Sequence, residues 1–230
     1  MRLLIYIPVI HTSADLGSLA KDVTKRGITE LGEEVWKEHM KRVEGFWDVI
    51  SHYFDSMDVS GMKIYQDGMV ADGEVGQKIV EEGIKSGSKN YEIISKLLQK
   101  GAILVKTEDF KLVKEERDRL LAMTQSKSIT LKLIALIKYK LVKNRLLIKR
   151  DKFIAKRIDE TLNQGETGII FIGAYHNIIP LLDKDILVKE VKDLEKIKDY
   201  QRTFLHWKED REKFEALSMY LISPVNIEKD

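Results

Sequence analysis

RDKFIAKRIDETLNQGETGIIFIGAYH, residues 150–176, is the stretch that decides the predicted fold. Two glycines, Gly165 and Gly168, indicate a turn in its middle. The apolar run after the turn, residues 169–172, is rich in β-branched side chains and is typical of a buried strand. The half before the turn predicts a helix, because apolar residues recur at helical spacing and define one face: Phe153, Ile154, Ala155, Ile158 and Leu162.

The lengths of this helix and this strand indicate which of their residues meet. A helix over residues 150–162 rises about 20 Å, and a strand over residues 168–174 rises about 23 Å. The helix can therefore return its first residues, Arg150 and Asp151, to the carboxyl end of the strand, where His176 follows. Open α/β sheets hold their sites at that edge. The alternative is a helix-starting ion pair and an unrelated loop histidine.

The same residues carry a resemblance to the TraB/pheromone-shutdown family. The family pattern is R-D-x-x-[IM]-A-x-x-I, then a loop, then an apolar strand that ends G-A-x-H. Residues 150–158 read RDKFIAKRI and residues 173–176 read GAYH, so the resemblance is confined to this stretch. The family is grouped with the Tiki metalloproteases, the erythromycin esterases and the ChaN-like haem-binding proteins.

Length and composition favour one globular domain with a sizeable core. The 230 residues suffice for a single α/β domain over residues 1–230. A formal net charge of +2 gives no reason to expect a nucleic-acid or membrane partner, and the absence of cysteine excludes disulfides and thiolate chemistry. The run LLIYIPVI after Arg2 is read as a strand, since it is short and contains Pro8. No other apolar run reaches the length of a membrane span, so we expect a cytoplasmic protein.

Apolar runs alternate with helical segments along the chain. This alternation predicts an α/β fold with a mostly parallel central sheet of about five strands, flanked by helices. The predicted strands cover residues 3–10, 62–65, 102–105, 169–173 and 186–191.

A helical elaboration is predicted around residues 110–149, as a lid or as the surface of a possible homodimer. Four of its apolar residues share one helix face. Further along the chain, four basic residues occupy nearly the same face. A single straight helix would have to bury the first set and solvate the second, so the pattern predicts a break near residues 149–150. The basic set could bind phosphates or simply be a solvated face. The two sets are Ile134, Ile137, Leu141 and Ile148, and Arg145, Lys149, Lys152 and Lys156.

Two further strand ends provide candidate site residues. His11 follows the first strand; the family ends this strand G-T-x-H, and residues 8–11 read PVIH, so only the histidine matches. Asp67 follows the second strand, where the family usually has Glu. The alternative for His11 is a capping residue. Glu108 follows the third strand with little local support, and the nearby acids Asp72 and Glu74 are read as solvated turn residues.

We expect His11, Asp67, Arg150, Asp151 and His176 to converge in one cleft. The resemblance implies a hydrolase of a peptide, amide or ester bond, acting on a small-molecule or peptide substrate.

Two roles for the histidines stay open. In one, His11 and His176 bind a divalent metal (Mn, Co or Zn) together with Asp67. In the other, one histidine acts unaided as a general base. Arg150 would stabilise an oxyanion, and Asp151 would orient a histidine or the arginine. The rival hypothesis is a non-enzymatic ligand-binding or regulatory protein of the same group. Under the site hypothesis, replacing His176 should cost little stability.

Overall fold

The structure, a computed structural model, describes residues 1–12, 14–15, 20–125 and 129–225. Within them, five parallel strands form one sheet, which confirms the predicted α/β fold and the position of each predicted strand. The strands are β1 (Arg2–Val9), β2 (Lys63–Gln66), β3 (Ile103–Leu104), β4 (Thr167–Gly173) and β5 (Ile186–Glu190).

Helices of the described residues flank this sheet. They are α1 (Ala20–Leu31), α2 (Glu33–Tyr53), α3 (Gly73–Lys85), α4 (Lys89–Gln99), α5 (Phe110–Gln125), α6 (Ile129–Thr161), α7 (Leu194–Leu205) and α8 (Arg211–Ile222). A short 3₁₀ helix, Ile179–Leu181, lies between β4 and β5.

The sheet order is β3-β2-β4-β1-β5, so β4 and β1 lie side by side in its middle. Ile5 pairs with Ile169 and Ile7 with Phe171, and all four side chains are buried. Helices cover both faces of such parallel sheets, which is why these two strands are apolar at nearly every position. Their burial fixes the carboxyl ends of the two strands next to each other.

The helix break predicted near residues 149–150 is wrong, because α6 runs unbroken from Ile129 to Thr161. The break is predicted on the assumption that the apolar half of the shared face is buried. In the structure Ile134 and Leu141 are exposed on that face, as are Arg145 and Lys149. The whole face is therefore on the solvent side and needs no change of direction. The opposite side is buried where it meets the sheet, at positions such as Ile154 and Ile158.

Helices α5 and α6 pack against each other along the segment for which an elaboration is predicted. Tyr139 of α6 donates a hydrogen bond to Glu116 of α5 over 3.4 Å. Residues 126–128, which join the two helices, lie outside the described part of the chain. The division of the chain into a single domain with this elaboration stays a prediction. None of the described helices is both long and apolar enough to cross a membrane.

Candidate functional site

The strand order brings four polar residues to one edge of the sheet. Glu108 follows β3, Asp67 follows β2, His176 follows β4 and His11 follows β1, and these strands are neighbours in that order. Carboxyl ends of parallel strands face the same edge, which is where α/β proteins bind ligands. A cavity of about 550 Å³ opens there, and His11, Asp67, Arg150 and His176 are among the residues that line it.

A tight turn after β4 directs the His176 side chain back over the strand end. The His176 amide donates to the Gly173 carbonyl over 3.0 Å, and the His176 side chain is buried. Its Nδ1 lies 2.5 Å from Oδ1 of Asp151, in α6. The other Asp151 oxygen accepts the Asn177 amide at 3.1 Å. Asp151 therefore fixes both the orientation of the ring and which ring nitrogen faces the cavity.

Asp67 lies between His176 and Arg150. Its amide continues the sheet ladder by donating to the Phe171 carbonyl over 2.8 Å, and its Oδ2 accepts the Gly173 amide at 3.1 Å. The same oxygen lies 3.4 Å from His176 Nε2, and Oδ1 accepts from Arg150 over 2.7 Å. One Asp67 oxygen is thus held by the arginine, and the other faces the histidine.

The buried carboxylates favour the charged form of His176. Burial opposes a charge on the ring, but hydrogen bonds to Asp151 and Asp67 outweigh it and raise the pKa of His176 to about 10. Burial also opposes a charge on Asp67. The hydrogen bond and charge of His176, with the charge of Arg150, nevertheless lower the pKa of Asp67 well below its ordinary value. At neutral pH the ring is therefore an imidazolium between two carboxylates.

Arg150 is bound by carboxylates on three sides, so its expected role at an oxyanion does not fit. The guanidinium donates through Nε and Nη2 to both oxygens of Glu108, through Nη2 to Asp67 and through Nη1 to Glu116. Such fork-shaped pairs fix the geometry of both partners. Arg150 is a clamp that holds these acidic side chains, and it contacts Asp67 rather than Asp151.

Glu108 and Glu116 are site residues that the predicted set omits. Glu108 is completely buried, and it also accepts the Gly68 amide over 2.8 Å. Burial raises the pKa of Glu108, with the Asp67 charge adding to the effect, against the opposing bonds from Arg150. Glu108 could be found from the sequence, because it follows an apolar strand. Glu116 could not, because it is one of many acids on a helix.

The cluster has more acidic than basic groups. Four carboxylates meet an arginine and an imidazolium here: Asp67, Glu108, Glu116 and Asp151 with Arg150 and His176. Buried charges in unequal number are costly unless a further ion or proton balances them. Ligand atoms of Asp67, Glu108 and His176 lie within 4.8 Å of one another, close enough for one metal ion.

His11 is the accessible member of the group. Its side chain is 41% exposed, and its Nε2 lies 3.9 Å from Asp67 Oδ2. The loop that carries it is anchored by Asp15, which accepts from the Thr12 amide and hydroxyl over 2.6 and 2.9 Å and from the Ser88 hydroxyl. This anchoring holds the backbone next to His11 while the imidazole faces the cavity.

Gly173 leaves space where the two histidines and Asp67 meet. A Cβ built at this position would lie 3.0 Å from Asp67 Oδ2, 3.4 Å from His11 Nε2 and 3.5 Å from His176 Cδ2. Gly173 does not have a positive φ, so its backbone does not require glycine. The absence of a side chain instead keeps a small space open beside three potential ligand groups.

The structure brings all five predicted site residues to one place, with Asp151 behind His176 rather than in the cavity wall. The acids read as solvated, Asp72 and Glu74, are exposed. Asp109 accepts the Lys111 amide over 2.8 Å, at the start of α5, and is not part of the cluster.

Comparison of the chain with protein-family models, with curated proteins and with solved structures finds no match.

Proposed function

We propose that the protein is a hydrolase of a peptide, amide or ester bond, and that it uses a divalent ion held by His11, Asp67 and His176. The observation that carries the proposal is the space beside Gly173, which the side chains of these three residues surround. Two imidazoles and a carboxylate are a usual ligand set for Zn²⁺ and related ions at catalytic sites. The partly exposed His11 gives such a site an open side.

The donor set fits an ion of this kind. Asp67 offers Oδ2, since Arg150 holds Oδ1, and His176 offers Nε2, since Asp151 holds Nδ1. A carboxylate behind a ligating histidine is the usual support of a metal site. Glu108 is close enough to be a ligand, but the guanidinium engages both of its oxygens. We therefore assign the third ligand to His11, whose Nε2 lies 3.9 Å from Asp67 Oδ2 but which is not part of the group of ligand atoms within 4.8 Å of one another.

A bound Mn²⁺, Co²⁺ or Zn²⁺ would supply Lewis-acid activation of water and of the scissile carbonyl. The residues of the chain would prepare the site for that role. His176 must release its Nε2 proton to become a ligand, so binding competes with the imidazolium form. Arg150 keeps Asp67 in place during this exchange. The cavity has room for a small molecule or for part of a peptide.

Two observations favour the alternative, a ligand-binding or regulatory protein without catalysis. The pKa of about 10 makes His176 a poor general base at neutral pH, and Arg150 is occupied by its carboxylate partners. These observations argue against hydrolysis by an unaided His176, so the proposed role of His176 depends on the ion. A co-purified ligand detected by native mass spectrometry would support the alternative.

The test is a panel of peptidase, amidase and esterase substrates, run on metal-free protein with and without Mn²⁺, Co²⁺ or Zn²⁺. We expect ion-dependent hydrolysis that is lost in His11→Ala. The matched control is His52→Ala, which removes an imidazole that is 86% exposed on α2. Hydrolysis that survives in His11→Ala, or that is lost equally in the control, would contradict the assignment.

A cytoplasmic location, which we expect from the sequence, is part of the proposal.

A further inference from the structure

Helix α6 has an apolar stripe that no described part of the chain covers. Its four residues are between 43% and 77% exposed: Ile134, Ile137, Leu141 and Ile148. At about 100° per residue they fall within an arc of about 60°, and they extend over roughly 21 Å of helix. Isolated exposed apolar residues are common, but four large ones aligned on one helix face indicate an interaction surface.

Cations that have no ion-pair partner among the described residues border the stripe. Residues 129–149 contain no Asp or Glu. Lys138, Arg145 and Lys149 flank the stripe on one side and Lys140 on the other, by the same helical spacing. All four are exposed, and none forms an ion pair with another described residue. The surface is therefore apolar in the middle and positively charged at its margins.

We infer that this face of α6 attaches the protein to a bilayer surface that contains anionic lipids. A helix that lies in the membrane interface buries large aliphatic side chains among acyl chains and places Lys and Arg at the headgroups. Each Lys or Arg near an anionic leaflet strengthens binding about fivefold. The long basic side chains can reach the headgroups while the stripe lies deeper.

The charge pattern argues against the other occupants of this face. In a symmetric pair of chains the same surface meets itself, so these cations would lie opposite one another. A nucleic acid would attract the cations, but its phosphates would leave the exposed stripe without an apolar partner. An anionic bilayer matches both parts of the surface.

The stripe and the cavity occupy different sides of the same helix. Tyr139, Lys143 and Leu147 line the cavity, and helical spacing places them roughly opposite the stripe. Attachment through the stripe would therefore leave the cavity open to the aqueous side. Surface attachment is also compatible with the absence of a spanning segment among the described helices. The inference does not depend on hydrolase activity.

The first test measures co-sedimentation of the full chain with vesicles of phosphatidylcholine, with and without phosphatidylglycerol. We expect binding to the anionic vesicles only, weakened by added salt. Ile137→Ser with Leu141→Ser should weaken binding at least about tenfold. The matched control, Val75→Ser with Leu205→Ser, removes exposed apolar residues from α3 and α7 and should bind like wild type.

The second test concerns the cations. Lys138→Glu with Arg145→Glu should weaken binding at least about thirtyfold. Lys78→Glu with Lys184→Glu changes the net charge equally at exposed sites outside the stripe and its flanking cations, and should have a much smaller effect. All four double variants should keep the wild-type thermal midpoint, since the replaced side chains are on the surface.

Failure of the wild type to bind anionic vesicles would overturn the inference. Equal losses in the α6 variants and their controls would do so too, because only a nonspecific attraction would remain. Sedimentation equilibrium distinguishes the remaining case. A dimer that dissociates in the Ile137→Ser/Leu141→Ser variant, without vesicle binding by wild type, would assign the stripe to a second copy of the chain and refute attachment to lipid.

Discussion

Replacing His176 by alanine tests the buried charge arrangement at the strand ends. The sequence-based hypothesis expects little loss of stability from this change. It assumes that the apolar strand before His176 is stabilised by its own burial and does not need the histidine. In the structure the ring is buried and hydrogen-bonded to Asp151, with Asp67 close to its other nitrogen. His176→Ala would leave these two carboxylates facing a space that no cation fills. The mutation should therefore destabilise the protein.

The size of the effect follows from the burial of the partners. Removal of one member of a buried ion pair costs about 3–5 kcal/mol. For a chain of 230 residues, each kcal/mol lowers the thermal midpoint by about 2–4 °C. We therefore expect the midpoint of His176→Ala to fall by roughly 6–20 °C at neutral pH, as measured by differential scanning calorimetry.

The pH dependence identifies the charged ring as the cause. The folded-state pKa of His176, about 10, lies above the unfolded value of about 6.5. Its contribution to stability is therefore complete below pH 6.5 and is lost as the pH rises through 10. The difference in unfolding free energy between wild type and His176→Ala should shrink across this interval. Adding Asp151→Asn to the alanine variant should restore part of the lost stability, because it removes an unpaired buried charge.

A His176→Ala midpoint within a degree or two of wild type, with the same pH profile, would refute this reasoning. So would a further loss of stability on adding Asp151→Asn, since that result would mean that the carboxylate is not an uncompensated charge in the alanine variant.

Three other outcomes are expected. His11→Ala should change the unfolding free energy by less than about 0.5 kcal/mol in a denaturant titration, because the ring is partly exposed. The same variant should lose ion-dependent hydrolysis in the substrate panel. Arg150→Lys should lower the thermal midpoint by several degrees, since an ammonium cannot bond Glu108 through two parallel donors. Burial lowers the pKa of His39 to about 4, so the unfolding free energy should fall as the pH is lowered from 6.5 towards 4. His39→Gln should make the unfolding free energy less dependent on pH over this interval.

The strands could be predicted because a strand buried on both faces has a continuous run of apolar residues. Strands β1 and β4 are covered on both faces, so almost every side chain had to be apolar. The unbroken course of α6 through residues 149–150 could not be predicted in the same way. Its first half has apolar residues on a side that the protein leaves exposed, and the sequence alone does not tell an exposed apolar stripe from a buried one.

The site could be predicted in part, because residues after a parallel strand must lie at one edge of the sheet. His11, Asp67 and His176 belong to this class. Their adjacency depends on the strand order β2-β4-β1, which is not the order along the chain and leaves no local pattern. Glu116 approaches from α5 through Arg150, a contact set by how two helices pack. Only the folded structure could reveal it.

Binding of a divalent ion to wild type and to Gly173→Ala tests the central claim most directly. The alanine Cβ would lie 3.0 Å from Asp67 Oδ2 and 3.4 Å from His11 Nε2, in the space assigned to the ion, while the backbone conformation there tolerates a side chain. Isothermal titration with Mn²⁺, Co²⁺ or Zn²⁺ should give one ion per wild-type chain and none in a folded Gly173→Ala variant. Equal binding by the two proteins, or no binding by wild type, would contradict the proposed metal site.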